Sequence, residues 1–349
     1  MTNKKKPHFL LVVGLMITAA CLCFTGCNSK NIAEYQGTFH ALDTIAGMTL
    51  YSDTLTEKEL AEAASSAEDL CRELENVFSS RLSGSSLYLL NGDAKEGPVK
   101  VREDLFYVIK SALEYAHLTD GAFDPTLLDI IEEWGIGTAD PHVPEASFTE
   151  SHKALRNYSN VTLDDEEASV SFDTANFRLD LGAIAKGYIC DRMKELLVSE
   201  YGIESGLINM GGNVLTIGDN MKKGRPWNVG IADPHDPSSS IISLNVTDKS
   251  LVTSGTYQRY FQEDGHIYHH ILDPFTAYPA DTGLLSVSIL TGGSMDADAL
   301  STGVFVLGPE KGLKLIEELE DTECILITED GEFLFSKGAK KYLSDQVTP

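Results

Sequence analysis

Cysteine is scarce and poorly spaced for chemistry. Of six cysteines, Cys21, Cys23 and Cys27 lie near the start and only Cys71, Cys190 and Cys324 in the body, with no C-x-x-C among them. That spacing excludes a disulfide framework and a cysteine-rich zinc site. The three body cysteines read as small buried apolar residues. Cations are scarce as well: 27 Lys+Arg against 53 Asp+Glu give a formal charge of −26. A phosphate backbone is recognised by basic patches, so nucleic acid is excluded as a partner. Neither G-x-x-x-x-G-K-S/T nor G-x-G-x-x-G occurs, so neither nucleotide-loop motif applies. No linker rich in Pro, Gly and Ser and no internal repeat interrupts the body, which reads as one domain over residues 38–344. What is present is a globular composition, 42 % apolar and 23 % charged over 349 residues, enough for a sizeable core.

The first 26 residues differ from the rest. Lys4, Lys5 and Lys6 precede an apolar run from Phe9 to Phe24, with no acid before Cys27. This is the charged start, apolar stretch and small-residue cleavage site of an export signal. The run is short against the roughly 20 residues that span a bilayer. Phe24-Thr25-Gly26-Cys27 resembles the bacterial lipoprotein box, with Phe24 where Leu is usual. The resemblance implies cleavage before Cys27, its lipidation, and a polar tether over 27–37. The chain is then exported and lipid-anchored to the outer face of the bacterial cell membrane.

Residues 38–51 predict a strand or hairpin. Thr56 with Glu59 forms a capping box, and Leu60, Ala63, Ala67, Leu70, Leu74, Val77 and Phe78 follow at helical spacing. A second helix is expected over 104–117, stopped by Thr119-Asp120-Gly121. Further strands are expected near 207–217, 227–232, 241–247, 250–254, 266–272, 284–291 and 323–328, and helices near 183–200, 295–306 and 309–320. Asp264-Gly265 and Asp330-Gly331 are hairpin-turn candidates. Strands and helices intermix without a βαβ rhythm, so the expected class is α+β.

Five segments can carry chemistry. Gly121-Ala122-Phe123-Asp124-Pro125-Thr126 is either a rigid pocket wall or an Asx-type turn. Asp180-Leu181-Gly182-Ala183-Ile184-Ala185-Lys186-Gly187-Tyr188 reads as a strand end passing into a helix. Its small residues and Lys186 suit either a phosphate cradle or close helix packing. Asn209-Met210-Gly211-Gly212-Asn213 signals a bulge or a backbone approached by a bulky group. Ser254-Gly255-Thr256-Tyr257 is followed by His269-His270-Ile271-Leu272-Asp273-Pro274, where adjacent histidines on a strand face opposite ways. In Met295-Asp296-Ala297-Asp298-Ala299-Leu300-Ser301-Thr302-Gly303, Asp298 and Thr302 share one helix face and can meet one hard cation. Asp296 lies on another face, solvated or acting near the helix start.

Together and in this order, GAFDPT, DLGAIAKGY, INMGGN, TSGTYQRYF with HILDP, and MDADALSTGVFVLG resemble the ApbE family of exported flavin transferases, over about residues 38–330. The resemblance implies a single α+β domain with FAD in a cleft, FAD as substrate, Mg2+ or another hard divalent cation, and release of AMP. FMN would pass to a Thr or Ser hydroxyl of an exported or membrane flavoprotein. Leu42, where many members have Met, would contact FAD with Ala122, Phe123, Asp124, Asp180, Lys186, Asn209, Gly211, Gly212 and Ile271. The cation would take the backbone oxygen of Ala183, the carboxylate of Asp298, the backbone of Ser301 and the hydroxyl of Thr302. His270 occupies the position of the general base. Ala277 departs from a common Gly, and Gln258 from a frequent Glu. The alternatives are an FAD pyrophosphatase giving FMN and AMP, and a non-catalytic flavin-binding lipoprotein.

Overall fold

A computed structural model of the chain describes residues 31–94, 96–153, 158–173 and 177–344. The export signal, Cys27 and residues 28–30 of the expected tether lie outside the described residues. The described residues from Ala33 onward form one unit, of the expected α+β class, built on an eight-stranded sheet. Its strands are β1 (Ala33–Ala41), β2 (Thr44–Ser52), β3 (Ser205–Met210), β4 (Asn213–Ile217), β5 (Ser250–Gly255), β6 (Leu284–Thr291), β7 (Glu323–Thr328) and β8 (Phe333–Phe335). They lie side by side in sequence order, every pair antiparallel. This is a meander, in which sequence neighbours are spatial neighbours.

Of four long helices, α1 (Glu57–Phe78), α2 (Glu103–Leu118), α3 (Ala185–Ser199) and α4 (Ser294–Glu317), the first, third and fourth lie on the sheet and α2 packs against α4. The Thr56–Glu59 capping box opens α1, each residue bonding the other's backbone, as the sequence predicts. The period of two in β2 turns Ala46, Met48 and Leu50 toward α1, where they join Leu60, Ala67, Leu74 and Phe78 in the main core. A second cluster packs Leu300, Val304, Phe305 and Ile316 of α4 on Val252, Val287, Ile289 and Leu326 of β5–β7. Each fully buried side chain of this kind contributes roughly 1.5–3 kcal/mol. No helix among the described residues is long and apolar enough to cross a membrane.

Several boundaries differ from the sequence reading. β1 begins at Ala33, inside the expected tether, because Ala33 and Tyr35 pair with Ser52 and Leu50 and pack on the core. The strand expected over 207–217 is two strands, turned at Gly211 and Gly212 with φ of 58° and 100°. The two helices expected near 295–306 and 309–320 are both present: the run labelled α4 is broken at Gly308, whose φ of 77° and ψ of 177° are not helical and which precedes Pro309. No strand leads into α3; residues 177–181 are irregular and held by side chains, Leu179 N–H donating to Asn91 Oδ1 at 2.8 Å.

Candidate functional site

Antiparallel register brings three connections to one end of the sheet: the β1–β2 turn, the β3–β4 turn, and the long β5–β6 connection that leaves Gly255 beside Ser286. The β1–β2 turn is Leu42-Asp43, with φ of 53° and 56°. A two-residue hairpin needs positive φ at both positions, which glycine or asparagine accept more readily than leucine. Side chains hold it there. Leu42 N–H donates to Glu75 Oε1 of α1 at 2.8 Å, and Arg259 Nη2 donates to Asp43 O at 3.1 Å. The two turns touch, since a Cβ added at Gly211 would lie 3.0 Å from Thr44 Cβ. A pocket of about 530 Å³ surrounds the first turn, lined by residues 40–45 and Glu75. Of the expected site residues it contains only Leu42.

The first turns of α3 and α4 meet behind these connections. Gly187 makes this possible, because a Cβ there would fall inside Ser294 O and 2.6 Å from Met295 Cα. Asp298, 3 % exposed, accepts from Gly187 N–H at 3.0 Å and lies 3.4 Å from Lys186 Nζ, which also donates to Gly182 O at 2.8 Å. Ser301 Oγ reaches Asp298 O at 2.9 Å and Ser254 Oγ of β5 at 2.8 Å. Thr302 and Ala183 are half-buried. Among the described residues no three His, Cys, Asp or Glu cluster as metal ligands. Asp298 is the one carboxylate in the expected set, and its other members offer hydroxyl and carbonyl oxygens. Asp296 lies in the first turn of α4, the second of the two places the sequence allowed; half-buried, it accepts from Tyr115 OH at 2.6 Å.

The two histidines are told apart by their bonds. His269, buried, has Nε2 against Ala280 O at 3.1 Å and accepts Ile271 N–H on Nδ1 at 3.3 Å. Both nitrogens are occupied by backbone. His270 Nδ1 lies 3.2 Å from Arg259 O, so Nδ1 carries the proton and Nε2 the lone pair. Burial, aided by His269, Arg259 and Lys186, pushes its pKa down to about 4. His270 is therefore a neutral base at pH 7.

The remaining residues connect to this centre. Asp124 makes the Asx turn, accepting Thr126 N–H at 2.8 Å and Thr126 Oγ1 at 2.6 Å. Pro125 O accepts Asp180 N–H at 2.8 Å; Asp180 in turn bonds Ser80 Oγ and Gly182 N–H, both at 2.9 Å. Asp124, Asp180, Lys186 and Asp298 thus form one connected series. Ala122, Phe123 and Ile271 are 2–3 % exposed and belong to walls rather than to an open surface. Asn209 is exposed and accepts Gly212 N–H at 3.2 Å. Arg259, Ser254 and Asn213 lie within segments that the sequence singles out, but sequence reasoning gave them no role in the site. Asn213 is 2 % exposed, yet its Nδ2 has no hydrogen-bond partner. Only its place after the Gly pair hinted at it.

Known proteins share this sequence and this architecture. The ApbE family model matches residues 42–326. A Klebsiella pneumoniae protein named FAD:protein FMN transferase is 36 % identical over 78 % of this chain and 84 % of its own length. One from Treponema pallidum is 33 % identical over 93 % of each. Among solved structures, an ApbE protein from Thermotoga maritima superposes with TM-score 0.81 at 31 % identity, covering 89 % of this chain and 100 % of its own. The flavin transferase ApbE from Vibrio cholerae gives 0.80 at 27 %, with the same coverage. The motifs gathered at the end of the meander and the match along most of its length agree: the chain belongs to the ApbE family.

Proposed function

We propose that the chain is an FAD:protein FMN transferase that uses Mg2+, moves FMN from FAD to a Thr or Ser hydroxyl of an exported or membrane flavoprotein, and releases AMP. Relatives at 33–36 % identity are named FAD:protein FMN transferase. The observation that carries the reading is the buried Asp298 carboxylate held between Gly187 N–H and Lys186 Nζ where the first turns of α3 and α4 meet.

The donor set suits a hard cation, since Ala183 O, the Asp298 carboxylate, Ser301 O and the Thr302 hydroxyl are all oxygen. The chemistry such a cation supplies when bound is stabilisation of charge on phosphate oxygens as the pyrophosphate breaks. Leu42, Ala122, Phe123, Asp124, Asp180, Lys186, Asn209, Gly211, Gly212 and Ile271 would hold FAD. The unpartnered Asn213 amide is a donor that a ligand oxygen at the β3–β4 turn would satisfy. Lys186, oriented by Gly182 O, offers its charge to the phosphates. His270 Nε2 takes the proton from the acceptor hydroxyl as its oxygen bonds to the FMN phosphorus. The P–O bond to AMP breaks in the same displacement.

Incubating the chain with FAD, Mg2+ and an acceptor domain tests this, with mass spectrometry reading a gain of one FMN. Free FMN and AMP without labelling would overturn transfer in favour of hydrolysis. His270→Ala is expected to slow transfer about 10²–10⁴-fold with FAD still bound; an unchanged rate would remove the base role. Because His270 is neutral above its folded pKa of about 4, the acidic limb of the parent's pH–rate profile should fall there and not near 6.5. The basic start, apolar run and Cys27 support export and lipid anchoring. Cys27→Ser is expected to release the protein from membranes, and a variant that still sediments with them would contradict the anchor.

A further inference from the structure

The two helices that meet at the site hold each other by their ends. Asp298 of α4 accepts Gly187 N–H in the first turn of α3. Asp191, one turn further along α3, returns the contact. Its Oδ1 accepts Ser294 N–H and its Oδ2 accepts Met295 N–H, both at 2.8 Å, and these are the first two residues of α4. Neither helix caps itself. The N-cap positions are Ile184 for α3 and Gly293 for α4, and neither makes a side-chain cap bond. First-turn amides left open by one helix are closed by a carboxylate of the other.

The arrangement works against Asp191's own solvation. Burial pushes its pKa up to about 6, with Asp296 adding to the rise, while the two amides and Lys194 oppose it. A surface serine at position 293 would cap α4 without burying a carboxylate, but it would not tie α4 to α3. That tie matters because Asp298, Ser301 and Thr302 lie on α4, whereas Ala183 and Lys186 lie at the start of α3.

We propose that Asp191 is a positioning residue of the cation site, clamping the first turn of α4 to α3 so that oxygens from the two segments face one ion. The inference rests on the cation reading above. Residues that orient metal ligands are worth about 10–100-fold in metal affinity.

The test is Mg2+ titration of the full chain without FAD, reading the Mg2+ concentration that gives half of the rise in Tm. Asp191→Ala is expected to raise that concentration about tenfold or more and to lower the metal-free Tm. A fall in metal-free Tm with unchanged half-saturation would mean a cap and nothing more, and would overturn the proposal. Should Asp191→Ala not fold, Asp191→Asn keeps one acceptor and is expected to give an intermediate increase; no increase would overturn it equally. A parent chain whose Tm does not respond to Mg2+ would overturn the cation reading, and this role with it.

Discussion

Asp298→Ala is expected to lower FMN transfer about 10²–10³-fold, the loss that follows removal of a preorganised electrostatic group from a water-poor site. The carboxylate is 3 % exposed and has two protein contacts, Gly187 N–H and Lys186 Nζ. Its removal takes away the one formal negative charge among the expected cation ligands and leaves a buried N–H unpaired. An orphaned buried donor costs about 1–3 kcal/mol, so the variant should also unfold at lower temperature. Asp298→Asn separates the two effects. The amide oxygen can still accept from Gly187, so stability should be largely restored while transfer stays low. Denaturant unfolding and a gel assay of flavin fluorescence on the acceptor read them apart. Recovery of transfer in Asp298→Asn would mean that the carboxylate's charge has no part in the reaction.

Gly187→Ala should be strongly destabilising. Most glycines here serve turns, but Gly187 lies inside α3, where alanine is ordinarily favoured by up to about 1 kcal/mol. That preference is reversed because the added Cβ would strike the backbone of Ser294 and Met295, which no side-chain rotation can relieve. Overpacking of this kind costs about 1–3 kcal/mol. Separating the helices adds the loss of the Gly187–Asp298 bond and of both Asp191 caps. A fall in unfolding free energy of about 3 kcal/mol or more, with transfer lost in parallel, is expected from urea titration and the acceptor assay. A variant as stable as the parent would show that α3 and α4 can separate at little cost.

Much of this was legible in the sequence because it is local. The Thr56–Glu59 capping box, the period of two in β2 and the Asx turn at Asp124 each depend on residues within a few positions of one another. The five motifs also pointed to the residues that the fold gathers. What stayed hidden depends on partners far along the chain. Nothing near Asp191 announces that its carboxylate will cap a helix beginning at Ser294, and nothing near Arg259 shows that its carbonyl will select the tautomer of His270. The departure at Ala277 was visible, but its meaning was not. Its φ of 61° puts an alanine in the conformation that the family's common glycine adopts freely, while its carbonyl accepts the buried Trp134 Nε1–H at 2.8 Å. The strained Leu42-Asp43 turn was equally opaque, since Glu75 and Arg259 hold it from outside the hairpin.

The meander has a consequence for the order of assembly. Residues 53–204 separate β2 from β3, the longest excursion between neighbouring strands of the sheet. A chain folding from its N-terminus can close the β1–β2 hairpin and lay α1 over it early. The second edge of β2 must then wait for residues 205–210, and long-range strand pairing of this kind is slow. Gly211 meets Thr44 only when that edge zips shut. Refolding should therefore regain helical signal well before it regains flavin binding, and the time between the two measures the closing of β2 on β3.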